Sequence, residues 1–240
     1  MYFITFTTGS YNKITENFLI NFQRILTKYG HHLILICVDE IASEYFQKYK
    51  NEDWLILDTR NCFSDGKREV LNYKEKKYNI LCSLKPQLVK EYLTNSYDEL
   101  FYIDTDIIFY KDPTSYINNC ELIFQKDGEN TVCAGCFYIK RTPRTLKLLE
   151  LWIWTINKGE NTGNDQDYLI VILNDIFKGI TSIPGIRGDY FPAELFQRGC
   201  DAIEKEWWMR DDKICIHVNW RVGLQTKIEA LKRINEWYLN

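Results

Sequence analysis

Two carboxylates, Asp104 and Asp106, interrupt an apolar run that extends from Leu100 to Tyr110. Aspartate is rarely buried unless it is paired or binds a metal. With core-like residues on both sides, this pair calls for a positive partner. A divalent cation bridging to a phosphorylated ligand is the economical one; a strand-end aspartate that caps a turn is the plainer alternative. A second cluster, Asn164-Asp165-Gln166-Asp167, opens a helix-like segment. Either it caps that helix, with acids in the first turn, or it presents carboxylate and amide groups to a hydroxyl-rich ligand. The third is Ile216-His217-Val218-Asn219-Trp220-Arg221-Val222-Gly223, followed by Lys227. A lone histidine in an apolar strand is commonly a satisfied core residue, but this company of polar groups suits an anion-and-metal site. One imidazole with two carboxylates forms a mixed ligand set for Mn²⁺, with Mg²⁺ as the alternative.

The elements around these residues alternate in type. Tyr2 to Thr7 reads as a strand. Apolar residues from Phe18 to Tyr29 then recur at helical spacing, with Gly30 as a C-cap. Leu33 to Val38 is a continuous apolar run of the kind that marks a strand buried on both faces. Further segments are a helix over 41–50, a strand over 54–57, a helix over 78–93 broken near Pro86, and the strand 99–103 that delivers the aspartates. Beyond them lie strands at 121–125 and 136–140, helices at 142–157 and 164–177, a Gly- and aromatic-rich loop at 185–191, a strand at 215–218 and a closing helix at 227–239. This pattern implies an α/β fold with a mostly parallel central sheet flanked by helices. Ligands bind beyond the carboxyl ends of such strands, where Thr7, Thr8, Asp39, Asp104 and Asp106 stand.

The 240 residues are enough for one domain with a full hydrophobic core. A net charge of -3 supplies no positive field for nucleic acid or an anionic membrane. The sequence holds no apolar run of membrane-spanning length, and its start reads as a strand with no signal peptide. The expectation is therefore a cytoplasmic or otherwise soluble protein without an integral membrane segment. The eight cysteines sit largely in apolar contexts, so a reduced, disulfide-free chain is expected. Cys133-Ala134-Gly135-Cys136 has CxxC spacing but no second CxxC to complete a zinc site.

In order along the chain, these segments resemble the nucleotide-diphospho-sugar transferase family, DxD glycosyltransferases of the A-type fold. Asp104-Thr105-Asp106 with Asp112-Pro113 after it is similar to the family's DxD segment, and Lys85 precedes it by one helix. Ala134-Gly135-Cys136-Phe137-Tyr138-Ile139 resembles the strand that follows, with Ala134 where a more polar residue is usual. Trp152 and Asn164-Asp165-Gln166-Asp167 match a "W … NDQ" segment. His217-Val218-Asn219-Trp220 with Gly223 and Lys227 resembles the family's ending.

The resemblance implies a single transferase domain over 1–240, with residues 1–106 as the nucleotide-binding half and 107–240 as the acceptor and donor-sugar half. It implies metal-dependent transfer of a sugar from a nucleotide diphosphate donor, a UDP-sugar first and a GDP-sugar second. The acceptor would be a hydroxyl of a glycan, glycoprotein or other molecule, and the anomeric configuration would be retained. Asp104, Asp106 and His217 would hold Mn²⁺ or Mg²⁺; Lys85 and Lys227 would contact the diphosphate; Gly135 would line the donor. Thr7, Thr8 and Tyr11 would meet base and ribose, unless they form only a polar turn. Asp165 and Gln166 would bind donor-sugar hydroxyls at the reacting face, with Asp106 the third catalytic group. Asp189, Tyr190 and Phe191 would receive the acceptor. Two rival readings are a nucleotide-sugar-binding domain without activity and a haloacid dehalogenase-type phosphatase, although the latter wants its Asp-x-Asp on an early strand.

Overall fold

A computed structural model describes residues 1–63, 71, 75–129, 131–160, 162–177, 183 and 185–240. The chain begins with β1 (Tyr2–Thr7), α1 (Asn12–Ile25), β2 (His32–Cys37), α2 (Glu40–Phe46) and β3 (Leu55–Thr59). Then come α3 (Lys76–Asn95), β4 (Glu99–Ile103), β5 (Ile107–Phe109), β6 (Leu122–Lys126) and β7 (Val132–Lys140). It closes with α4 (Pro143–Lys158), α5 (Asp165–Phe177), β8 (Gly188–Tyr190), β9 (Phe196–Arg198), α6 (Gly199–Glu204), β10 (Cys215–His217) and α7 (Leu224–Arg233). Met1–Leu71, Ile103–Tyr116 and Pro192–Asn240 make one compact unit; Asn72–Tyr102 and Ile117–Phe191 make a second. Within the first unit the strands run in the order β3-β2-β1; within the second they run β4 (to Tyr102), β7, β6, β8, and the pairing is mixed and mostly parallel.

In the first unit β1 runs parallel to β2, from Tyr2↔His32 to Thr7↔Cys37, and β2 runs parallel to β3. The apolar run of β2 is fully buried from Leu33 to Cys37, as its unbroken hydrophobicity demands. A separate three-stranded sheet, β5-β10-β9, pairs β10 antiparallel to β5 and parallel to β9. Its core joins Ile108, Ile216 and Val218 to Ile14 of α1, Ile203 of α6 and Leu231 of α7. Asn21 of α1 replaces a missing strand neighbour: its Oδ1 accepts from the Phe109 N–H (2.8 Å) and its Nδ2 donates to the Phe109 carbonyl (3.0 Å). The closing helix is shorter than expected, spanning 224–233, because Asn235 turns into the left-handed region (φ 59°). Asn17 then ties down the tail, accepting from the Tyr238 N–H (2.7 Å) and donating to the Glu236 carbonyl (2.9 Å).

In the second unit β6 and β7 form an antiparallel pair. Residues 188–190, expected as loop, add β8 parallel to β6 (Leu122↔Gly188 to Phe124↔Tyr190). The period-2 signal is too short to show in three residues. Pro86 does not break α3, which runs continuously from Lys76 to Asn95. An interior proline removes one backbone donor and crowds the carbonyl four residues back, and the burial of Lys85, Pro86, Leu88 and Val89 offsets that cost. The start of α4 is fixed by a capping box of Thr142 and Thr145 with Pro143 at its first position. One irregularity matters below. Between Phe124↔Phe137 and Gln125↔Cys133 the register advances four residues along β7 for one along β6, so Ala134, Gly135 and Cys136 bulge there.

Candidate active site

The first unit assembles its charged cluster by strand pairing. Asp104 and Asp106 lie in the turn between β4 and β5. β10 pairs with β5 so that His217 stands opposite Ile107, and the Val218 N–H donates to the Asp106 carbonyl (2.9 Å). The His217 side chain is thereby delivered to the carboxylates from 111 residues further along the chain. Its Nε2 lies 3.1 Å from Asp106 Oδ1 and 3.9 Å from Asp104 Oδ2. Lys227, in the first turn of α7, pairs its ammonium with Asp106 Oδ2. Burial pushes the Asp106 carboxyl up, but Lys227 and His217 outweigh it and hold the group well below the usual carboxylate range. Burial likewise opposes the Lys227 ammonium; Asp106 foremost, then Tyr11 and Asp104, keep it charged, above its ordinary value.

The segment after His217 is tied to the start of α6. Asn219 Oδ1 accepts from the Gly199 N–H (2.9 Å) at the start of α6. A Cβ at residue 199 would stand 2.3 Å from the Asn219 carbonyl oxygen, so only glycine permits this approach. Two carboxylates and an imidazole, each with a ligand atom within 4.8 Å of the others, fit a divalent cation of the Mn²⁺ or Mg²⁺ kind. Among the described residues this is the cluster with that property.

Thr7 and Thr8 are buried and their hydroxyls are engaged within the protein: Thr7 with Thr15 (2.7 Å) and Thr8 with Ser10 (2.9 Å). Asp39, beyond β2, holds the same turn by accepting from the Gly9 N–H (2.9 Å) while capping α2 at Ala42 (2.7 Å). The Tyr11 hydroxyl donates to the Leu71 carbonyl (3.3 Å). Asp112 belongs to another local device, accepting from the Thr114 N–H and hydroxyl (2.9 and 2.8 Å) and meeting His31 Nε2 at 2.9 Å.

In the second unit the 164–167 segment opens α5, and its residues take different partners. Asn164 caps α5, accepting from the Asp167 N–H (2.9 Å), and Asp167 returns a bond to the Asn164 N–H (3.3 Å). The Asp165 carboxylate is turned elsewhere and meets the Lys85 ammonium at 2.7 Å. That ammonium also lies 5.0 Å from the centroid of the Tyr102 ring. Trp152 Nε1 donates to the Asp165 carbonyl (2.7 Å). Gln166 takes the Ala134 N–H (3.0 Å) and gives to Asp127 (2.8 Å). Gly135 lies buried in the β7 bulge. On β8, Asp189 accepts from Asn118 (3.0 Å), and Lys126 lies 5.3 Å from the centroid of the Tyr190 ring. Phe191 is a core residue stacked on Phe101 (5.5 Å between centroids). Asp127 was not among the residues singled out from the sequence, because an acid beside Gly128 reads as an ordinary turn.

A mostly parallel α/β fold of the glycosyltransferase A type here gathers two aspartates, a histidine and a lysine in one unit, a cluster that could hold a metal ion. The chain belongs to the nucleotide-diphospho-sugar transferase family, whose model matches residues 30–231. A UDP-galactose:fucoside alpha-3-galactosyltransferase of Dictyostelium discoideum is 22% identical, and the match covers 96% of this chain and 42% of that protein. The chain thus spans less than half the length of that curated relative. Among solved structures, the galactosyltransferase LgtC with donor and acceptor sugar analogs matches with a TM-score of 0.61 at 12% identity (99% of this chain, 95% of that one). A glycosyltransferase involved in glycosylation of the major capsid of PBCV-1 matches with 0.58 at 10% identity (98% of each chain). These structures share the fold. No helix among the described residues is long and apolar enough to cross a membrane. All eight cysteines are free thiols, including Cys133 and Cys136, both buried in β7.

Proposed function

We propose that this chain is a divalent-metal-dependent glycosyltransferase that moves a sugar, with retention, from a UDP-sugar to an acceptor hydroxyl of a glycan or glycoconjugate. The observation that carries the reading is the convergence of Asp104, Asp106, His217 and Lys227 in one unit of a chain of this family. The name of the Dictyostelium relative makes galactose the first donor sugar to test. A phosphatase has no place in this family; a domain that binds nucleotide sugar without turning it over is the alternative that assay must separate.

The hard step is departure of the nucleoside diphosphate, which gathers negative charge. A bound Mn²⁺ or Mg²⁺ held by Asp104, Asp106 and His217 would supply Lewis-acid neutralisation of that charge. Lys227 adds an ammonium to the diphosphate, and its present carboxylate partner keeps it protonated until a phosphate competes for it. Tyr11 offers a ring for the base, on a turn shaped by Thr7, Thr8 and Asp39. Asp165 and Gln166 bind donor-sugar hydroxyls, and Gly135 gives backbone access beside them. Lys85, read from the sequence as a diphosphate contact, is paired with Asp165. Acceptor contacts fall to Asp189 and Tyr190.

One charge interaction at ~4 Å with an effective dielectric of ~20 is of order 4 kcal/mol. Felt mainly in the transition state, that is roughly a thousandfold in rate. Asp106→Asn should therefore lose most turnover of UDP-galactose with Mn²⁺ while its circular dichroism is unchanged. In a thermal-shift screen of UDP- and GDP-sugars, the wild type should gain stability from a UDP-sugar only when Mn²⁺ is present, and Asp106→Asn should lose that gain. Near-normal turnover by Asp106→Asn would remove the mechanism. A metal-dependent shift without hydrolysis or transfer would leave a binding domain.

A further inference from the structure

Gln166 is held in one amide orientation by two partners of opposite kind. A carboxamide has a carbonyl oxygen that only accepts and an amino group that only donates, and it can usually flip between the two. Here Gln166 Oε1 accepts from the Ala134 backbone N–H (3.0 Å), and a backbone N–H can only donate. Gln166 Nε2 donates to Asp127 Oδ2 (2.8 Å), and an ionised carboxylate can only accept. Flipping the amide would set donor against donor and acceptor against acceptor at the same moment.

Both partners are placed by the β6–β7 pair. The bulge at Ala134–Cys136 departs from the regular ladder where the Ala134 N–H turns to Gln166. Asp127 follows the last residue of β6 and is anchored by its own N–H to the Thr131 carbonyl (2.9 Å). Bulges gather next to active sites because they re-aim chemical groups. We propose that Asp127 is a positioning residue: with the bulged Ala134 amide it fixes which atoms Gln166 presents to a sugar hydroxyl. One Oε1 lone pair and one Nε2 hydrogen remain, each with a set direction. The role in turnover rests on the proposed glycosyltransferase reading; the lock itself does not.

Two arms test it. With UDP-galactose and Mn²⁺, Asp127→Ala should lower kcat by about tenfold to a hundredfold, the range expected for a misaligned polar contact, while donor KM stays within about threefold. Asp127→Asn, whose carbonyl can still accept from Nε2, should recover most of that loss. Equal kcat in Asp127→Ala and wild type, or an Asp127→Asn as poor as Asp127→Ala, overturns the proposal. The second arm needs no activity. Gln166→Glu faces carboxylate with carboxylate and should lower Tm by roughly 4 °C. Adding Asp127→Asn restores a donor opposite an acceptor and should return at least half of that drop. Strict additivity of the two shifts overturns the lock. A wild type that turns over no nucleotide sugar, with the coupling present, overturns only the functional reading.

Discussion

The two charged constellations of this chain are built on opposite plans. In the second unit the Lys85 ammonium and the Asp165 carboxylate, 5% and 6% exposed, lie 2.7 Å apart beside the Tyr102 ring. In the first unit Asp104, Asp106, His217 and Lys227 share one neighbourhood, and two of them keep contact with water, Asp104 at 35% and Lys227 at 20%. A pair sealed from water fixes the position of its own members. A cluster with more than one acid, more than one base and an open side can exchange partners. On the proposed reading Lys227 is the better placed of the two lysines to meet a diphosphate; from sequence both were candidate contacts.

The sharpest way to break this comparison is to delete each ammonium in turn. Lys85→Met leaves the Asp165 carboxylate buried with its ion-pair partner removed, which costs about 3–5 kcal/mol in comparable cases. For a chain of this size that is a fall in Tm of roughly 10 °C. Lys227→Met leaves Asp106 with His217 and an open side, so its Tm should fall by less than half as much, while donor KM rises. Thermal melts and donor saturation curves on both variants decide the matter. Equal loss of stability in the two would mean that Lys227 is as structural as Lys85.

A smaller effect sharpens the same point. Lys85→Met with Asp165→Leu removes both charges at once, and replacing a buried pair by apolar groups is often neutral or stabilising. The double variant should melt within about 3 °C of the wild type yet show no recovery of turnover, because Asp165 is proposed to bind the donor sugar. Recovery of both would confine the pair to architecture.

The sequence exposed the parts of this plan that lie in local pattern. β1 and β4 begin and end where the apolar runs do, Gly30 takes the left-handed conformation of a C-cap (φ 71°), and the DxD turn follows β4 directly. The Asp104, Asp106 and His217 cluster was legible because two acids and a histidine are out of place in apolar strands. The pairing of Lys85 with Asp165 was not, since nothing at 80 residues' separation marks two side chains as neighbours. Nor was Asp127, whose meaning depends on a three-residue bulge in the opposing strand. Short elements such as β8, β9 and α6 hold their form through partners: Gly188–Tyr190 is a strand because β6 lies beside it.

A third ion pair lies between the two extremes and gives the smallest prediction. Glu121 is 2% exposed, but its partner Arg144 is 44% exposed. Burial raises the Glu121 carboxyl; Arg144, then Thr142 and the Arg187 N–H outweigh it and bring the group down to about 2. A carboxylate depressed in the folded state stabilises at pH above its unfolded value, near 4.5, and that contribution disappears as pH falls toward about 2. Arg144 is screened by water, so the gain is modest. Glu121→Gln should lower Tm by a few degrees at pH 7, and the gap to the wild type should close across that acid window. Melting curves taken between pH 7 and pH 2 measure the gap directly. A gap that stays constant would mean that Glu121 acts through its hydrogen bonds alone, and that a half-open pair contributes no charge stabilisation of its own.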